Sequence, residues 1–105
     1  SIEAHTQERI ALVIGNADYQ ISPLNNSIND ARDMASTLKE LDFKVTLIEN
    51  ANQMIMGESI AEFGERLNKD TVGLFYYSGH AVSYKGANYL VPVGANVNKA
   101  SHLVY

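Results

Sequence analysis

The feature that most constrains this chain is the unbroken apolar run Ile10-Ala11-Leu12-Val13-Ile14, closed by Gly15-Asn16. A strand with one wet face alternates apolar and polar residues. Five apolar residues in succession need cover on both faces, which is the pattern of a strand inside a parallel sheet. Such a strand requires a helical layer above and below, and the downstream sequence supplies two. The apolar positions Ile28, Ala31, Met34, Ala35, Leu38 and Leu41 recur at three- and four-residue spacing and line one face of a helix, with Asn29, Asp33, Lys39 and Glu40 opposite. Met56, Ile60, Phe63 and Leu67 mark a second amphipathic helix, despite Gly57 and Gly64, each of which costs about 1 kcal/mol relative to Ala.

Between and after these helices lie the other strands. Phe43-Lys44-Val45-Thr46-Leu47-Ile48 follows a tight turn at Asp42 and reads as a second strand, and Asn50 and Asn52 then supply turn and cap chemistry. Val72-Gly73-Leu74-Phe75-Tyr76-Tyr77 reads as a third, running into Ser78-Gly79-His80. Residues 82–84 and 87–90, joined around Lys85-Gly86, form a β-hairpin. The βαβαβ order predicts an α/β fold: a three-layer sandwich with a mainly parallel sheet in flavodoxin-like order. Residues 1–8 have no period and read as a flexible lead-in, leaving 9–105 for a single domain at most. In open sheets of this kind a ligand site lies beyond the carboxyl ends of the strands, which points to the loops 15–27, 49–53 and 78–81.

Charge and composition narrow the chemistry. Eight Lys+Arg against twelve Asp+Glu give a formal net charge of -4, so there is no electrostatic source for a grip on phosphate backbones, and nucleic acid is not an expected partner. The apolar runs are far shorter than the roughly 20 residues that cross a bilayer, and the N-terminus lacks a signal pattern. The expectation is a cytoplasmic protein without a membrane partner. The absence of cysteine excludes a disulfide, a thiolate metal site and a cysteine nucleophile within these residues. No nucleotide-binding glycine pattern is present, and Gly15-Asn16 and Ser78-Gly79 stand where a phospho-accepting receiver domain needs acidic residues. His5 and His102 have no spacing that pairs them with His80 as metal ligands, so neither metal nor cofactor is expected.

His80 follows Gly79 at the carboxyl end of the third strand, where an imidazole held at the rim suits a general acid or base; the alternative is a histidine that hydrogen-bonds a loop. Ser27-Ile28-Asn29-Asp30 fits the S-x-x-D form of the capping box, while a carboxylate there could instead enter the cleft and select a cationic side chain.

Taken in order, Ala11-Leu12-Val13-Ile14-Gly15-Asn16 with Tyr19, Leu24-Asn25-Asn26-Ser27-Ile28-Asn29-Asp30-Ala31, Tyr76-Tyr77-Ser78-Gly79-His80 and Asn88-Tyr89-Leu90-Val91-Pro92 carry more than spacing. Over about residues 9–105 the chain resembles the large-subunit half of the caspase-like cysteine peptidases, closer to the metacaspase and prokaryotic branch than to animal caspases. The resemblance implies a Cys–His dyad with His80 as the histidine and a backbone oxyanion hole at Ala81, where the family usually carries Gly. It also implies that Ser27, Asp30 and Ser78 line the first specificity pocket, with cleavage after Arg or Lys. The family's nucleophile lies on the next strand, usually in an Asp-x-Cys motif, and these residues hold no cysteine.

These readings give two functions: the histidine-bearing part of a caspase-like cysteine endopeptidase, inactive as this chain alone, or a non-catalytic caspase-like module that binds a protein. A small α/β domain with an unrelated ligand is a third, which leaves the motif set unexplained. The first implies a piece of a longer protein or one chain of two; Tyr105, not being basic, does not look like a self-processing site. Expected partners are a peptide substrate with a basic residue before the cut, the Cys-bearing segment or second chain, and a homodimer or strand-exchanged oligomer formed at the edge of the third strand.

Overall fold

Five residues that are each at most 1% exposed, Ile10, Ala11, Leu12, Val13 and Ile14, form the centre of the structure. In the computed structural model, which describes residues 7–95 together with His102 and Val104, they lie on β1 (Glu8–Gly15). There follow α1 (Ser27–Glu40), β2 (Lys44–Glu49), α2 (Gln53–Arg66), β3 (Thr71–Ser78), and the strands β4 (Ala81–Tyr84) and β5 (Ala87–Leu90). The sheet order is β2-β1-β3, all parallel, with Gly15 in register with both Glu49 and Ser78, so the three strands end at one rim.

The alternate faces of β1 go to different helices. Ala11 and Val13 pack with Ala31, Ala35 and Leu38 of α1, and Leu12 and Ile14 pack with Ala51 and Met56 at and within the start of α2. Helices on opposite faces, with β2 and β3 on opposite flanks of β1, are what two right-handed crossovers produce. The result is the three-layer arrangement expected from the apolar run. Close approach of α1 depends on small residues: a Cβ on Gly15 would lie 2.6 Å from the Ala31 Cβ and 2.8 Å from the Ser27 carbonyl oxygen.

That packing also corrects the expected capping box. Ser27 is already the first helical residue, and the N-cap is Asn26, which makes no side-chain cap hydrogen bond. The Asp30 N–H donates instead to the Asn26 carbonyl at 2.9 Å. Ser27, buried with its carbonyl against Gly15, is held inside the first turn and does not serve as the cap. The second helix does begin with a cap, the Asn52 side chain accepting from the Ile55 N–H at 2.9 Å. Asp42, in the left-handed region at φ 67, ends α1 and turns the chain into β2.

Polar ties fasten the exposed sides. Arg32 of α1 makes a two-pronged contact with Glu49 at the end of β2, at 2.6 and 2.9 Å, and this hydrogen bond holds the Glu49 carboxyl below its usual range. Both groups face solvent, so the contact is worth little to stability. At the other end, Glu8 pairs with Lys44 at 3.1 Å, so β1 already includes the last residue assigned to the lead-in; residues 1–6 lie outside the described ones.

Lys85 (φ 49) and Gly86 (φ 79) both take the left-handed geometry of a type I′ turn, closing β4 on β5 as the expected hairpin. The hairpin is a separate two-stranded sheet whose Leu90 packs against the cluster of Leu12 and Ile14, while Val91, just after β5, packs with Tyr19. Among the described residues β3 pairs only with β1, and its Val72 and Phe75 are exposed. Among the same residues no helix is long and apolar enough to cross a membrane.

The glycines separate into free and constrained positions. Nothing lies within 4 Å of a Cβ built on Gly57 or Gly64. Gly57→Ala and Gly64→Ala should each raise unfolding stability in urea by about 1 kcal/mol, through helix propensity. Gly15→Ala should lower it by about 1–3 kcal/mol, because the added methyl meets backbone and a short side chain that cannot swing aside.

Candidate functional site

Asparagine side chains organise the rim. Asn16, fully buried just beyond β1, accepts from the Ala51 N–H at 2.8 Å and points its amide nitrogen at the Met56 Sδ and the Val91 carbonyl, at 3.4 and 3.5 Å. Its own N–H donates to the Ser78 carbonyl at 2.8 Å. Beyond β2, the Asn50 side chain accepts from the N–H groups of Ala17 and Asp18, both at 3.0 Å. The loops after β1 and β2 are therefore tied to each other and to the end of β3.

His80 stands two residues beyond β3, half-buried. Its Nε2 lies 2.7 Å from the Ser22 carbonyl oxygen, which can only accept. The hydrogen bond therefore assigns the proton of the neutral ring to Nε2 and leaves the lone pair on Nδ1. Ser22 reaches this position in the left-handed region, at φ 55, an uncommon backbone geometry for a residue with a side chain. The imidazole face meets the Tyr19 ring, with centroids 4.4 Å apart and planes tilted by 47°.

The main chain of His80 is held as firmly as its ring. Its N–H donates to the Tyr19 hydroxyl at 3.0 Å, and its carbonyl accepts from the Val91 N–H at 3.0 Å and the Tyr77 hydroxyl at 2.8 Å. The Tyr19 hydroxyl is also 2.8 Å from the Val91 carbonyl and 3.0 Å from the Tyr77 hydroxyl, which in turn lies 3.1 Å from the Val91 carbonyl. Two phenolic protons thus serve four contacts, each donated to one partner at a time. Burial, followed by the hydrogen bond shared with the Tyr19 hydroxyl, pushes Tyr77 well above the usual phenol range, so it stays a neutral donor. Gly79 makes the arrangement fit: a Cβ there would lie 2.5 Å from the Tyr77 hydroxyl and 2.8 Å from that of Tyr19.

Beside His80 opens a cleft of about 550 Å³ whose walls include Tyr19, Ile21, Ser22, Ala81, Val82 and Val91. The two-residue turn makes Tyr84 and Ala87 a hydrogen-bonded pair, so by alternation Ala81 and Leu90 form a non-hydrogen-bonded pair. The Ala81 N–H therefore points away from β5. Of the five residues singled out from the sequence, His80 and Ala81 line this cleft, and Ser27, Asp30 and Ser78 do not. Ser78 lies beside Gly15 in the sheet and Ser27 packs against it from α1, while Asp30 is exposed in the first turn of the same helix. Among the described residues no group of three His, Asp or Glu converges as a metal site.

Sequence reasoning missed Ser22 and Val91, which act through main-chain groups that no residue type advertises. It also passed over the roles of Tyr19 and Tyr77, 58 residues apart, because an aromatic residue at a strand end looks like ordinary core.

Comparison with known proteins bears on the family of the fold. A family profile described as the caspase domain matches residues 8–104. Two curated relatives, the mucosa-associated lymphoid tissue lymphoma translocation protein 1 of Homo sapiens and its homolog in Mus musculus, are each 34% identical over 90 residues. That alignment takes in 85% of this chain but only 11% of each relative, so the chain spans about a ninth of their length.

The Tyr77 shift has a signed consequence. A phenol whose folded pKa lies above its unfolded value of 10.0 adds stability below that pH, and the contribution is lost as pH rises past it, because the unfolded chain ionises first. Tyr77→Phe should lower stability at neutral pH by about 1 kcal/mol, through the lost hydrogen bonds. It should also flatten the decline above pH 10.0, read from urea unfolding across an alkaline pH series.

Proposed function

The chain belongs to the caspase-domain family, and from that premise we propose that it is the histidine-bearing part of a cysteine endopeptidase that cleaves after Arg or Lys, its thiol lying outside these residues. The observation that carries this reading is the fixed tautomer of His80. With Nε2 committed to the Ser22 carbonyl, Nδ1 is the nitrogen able to exchange a proton. In the reaction it takes the proton of the cysteine thiol, the thiolate adds to the scissile carbonyl, and the imidazolium returns a proton to the departing amine. The Ala81 N–H, directed away from its partner strand, is the backbone donor suited to the developing oxyanion.

Substrate preference is assigned in this proposal to Asp30, together with Ser27 and Ser78. Among the described residues no hydrogen bond or ion pair engages the Asp30 carboxylate, and with the capping box unformed it is available to a guanidinium or ammonium group. This preference is the one carried by the metacaspase-like branch, and the expected setting is the cytoplasm. A second reading, with which the absence of cysteine from these residues is equally consistent, is a non-catalytic module that binds a protein through the same rim. The edge of β3, paired on one side only among the described residues, is where the thiol-bearing segment, a second chain or a second copy would add.

Both parts of the proposal are open to direct test. In the complete, thiol-bearing protein, His80→Ala should lower kcat/KM on Arg and Lys peptides by about 10²–10⁴-fold, and unchanged turnover would refute the catalytic reading. The 105-residue chain alone should hydrolyse nothing. Asp30→Ala should abolish the preference for basic residues while unfolding stability changes by less than about 1 kcal/mol, since only a helix-dipole contribution is removed. Retained preference would dismiss Asp30 from the pocket.

A further inference from the structure

Resting on His80 as the acid/base, we infer that Tyr19 is its positioning residue: the Tyr19 ring sets the direction of Nδ1, and the Tyr19 hydroxyl holds the His80 backbone. The Ser22 carbonyl fixes one point of the imidazole, and a ring held at one atom can still pivot about that hydrogen bond. The Tyr19 ring, 4.4 Å away and tilted by 47°, closes one side of that pivot. Its hydroxyl accepts from the His80 N–H at 3.0 Å, which fixes the backbone from which the ring projects. The same hydroxyl reaches the Val91 carbonyl at 2.8 Å. One side chain therefore touches the ring and the main chain of the histidine and the segment after β5.

The surroundings leave Tyr19 little freedom. It is 7% exposed, packed with Val91, and its hydroxyl meets that of Tyr77 at 3.0 Å. Gly79 puts no side chain between the two phenols and the His80 backbone. A tyrosine that served packing alone would need neither the hydrogen bond to the His80 N–H nor contact with the imidazole face. Tyr77 completes the hold from the other side by donating to the His80 carbonyl.

The test reads the imidazole directly and needs no turnover. In the ¹⁵N-histidine-labelled chain at alkaline pH, where imidazole is neutral, long-range ¹H–¹⁵N correlation separates a protonated Nε2 from an unprotonated Nδ1; His80 is assigned by the signal lost in His80→Gln. Tyr19→Leu removes ring and hydroxyl, and the two His80 nitrogen signals should move towards each other as tautomers and orientations average. Tyr19→Phe keeps the ring, and exchange of the His80 amide should rise about tenfold while that of the β1 amides is unchanged. In the complete protein Tyr19→Leu should lower kcat and leave KM within about twofold, the signature of a misdirected base rather than lost binding.

A folded Tyr19→Leu chain with the original separation of the His80 nitrogens overturns the inference. If that variant does not fold, Tyr19→Phe decides alone, and an unchanged His80 amide exchange overturns it. These readouts stand apart from hydrolysis: full turnover in His80→Ala would end the catalytic proposal, whatever the nitrogens of His80 report.

Discussion

Burial of β1 on both faces is the constraint from which the rest of the structure follows. Neither face of the run Ile10 to Ile14 can meet water, so one helix must lie on each side and the chain must cross the sheet twice. The shared register at Gly15, Glu49 and Ser78 then brings three loops to one rim. Where α1 comes closest, β1 ends in a residue with no side chain, and that close approach draws Ser27 into the helix and moves the N-cap to Asn26. The demands of the core thereby reach the rim and alter which polar groups remain available there.

At the rim the construction is of another kind. Asn16 and Asn50 satisfy main-chain N–H groups of neighbouring loops, and the two phenols satisfy main-chain groups of His80 and Val91. Loops that would otherwise carry unpaired backbone groups are cross-linked by uncharged side chains. The histidine consequently sits in a frame of uncharged side chains, while among the described residues no hydrogen bond engages its own Nδ1. Such separation of a fixed frame from one open ring nitrogen is what the proposed acid–base role requires.

Much of this was legible in the sequence, for physical reasons that also set the limit. The apolar run and the two three-to-four spacings fix layers and order, since burial writes a period into residue type. Lys85-Gly86 and Asn52 declare a turn and a cap through their local chemistry, and the structure has both. Ser27 to Asp30 has the residue types of a capping box, but the tertiary contact with Gly15 outweighs that local preference. His80 could be placed at a strand end. Its tautomer could not, because it depends on a carbonyl 58 residues away on a left-handed serine.

Gly79 links positions that are distant in sequence. With any side chain at 79, the hydroxyls of Tyr77 and Tyr19 would have to withdraw, and the supports of His80 would go with them. Positions 19, 77 and 79 therefore cannot drift independently. A lineage that replaces this glycine must change its tyrosines in the same stroke, so the neighbourhood of the histidine evolves by joint exchange or stays as it is.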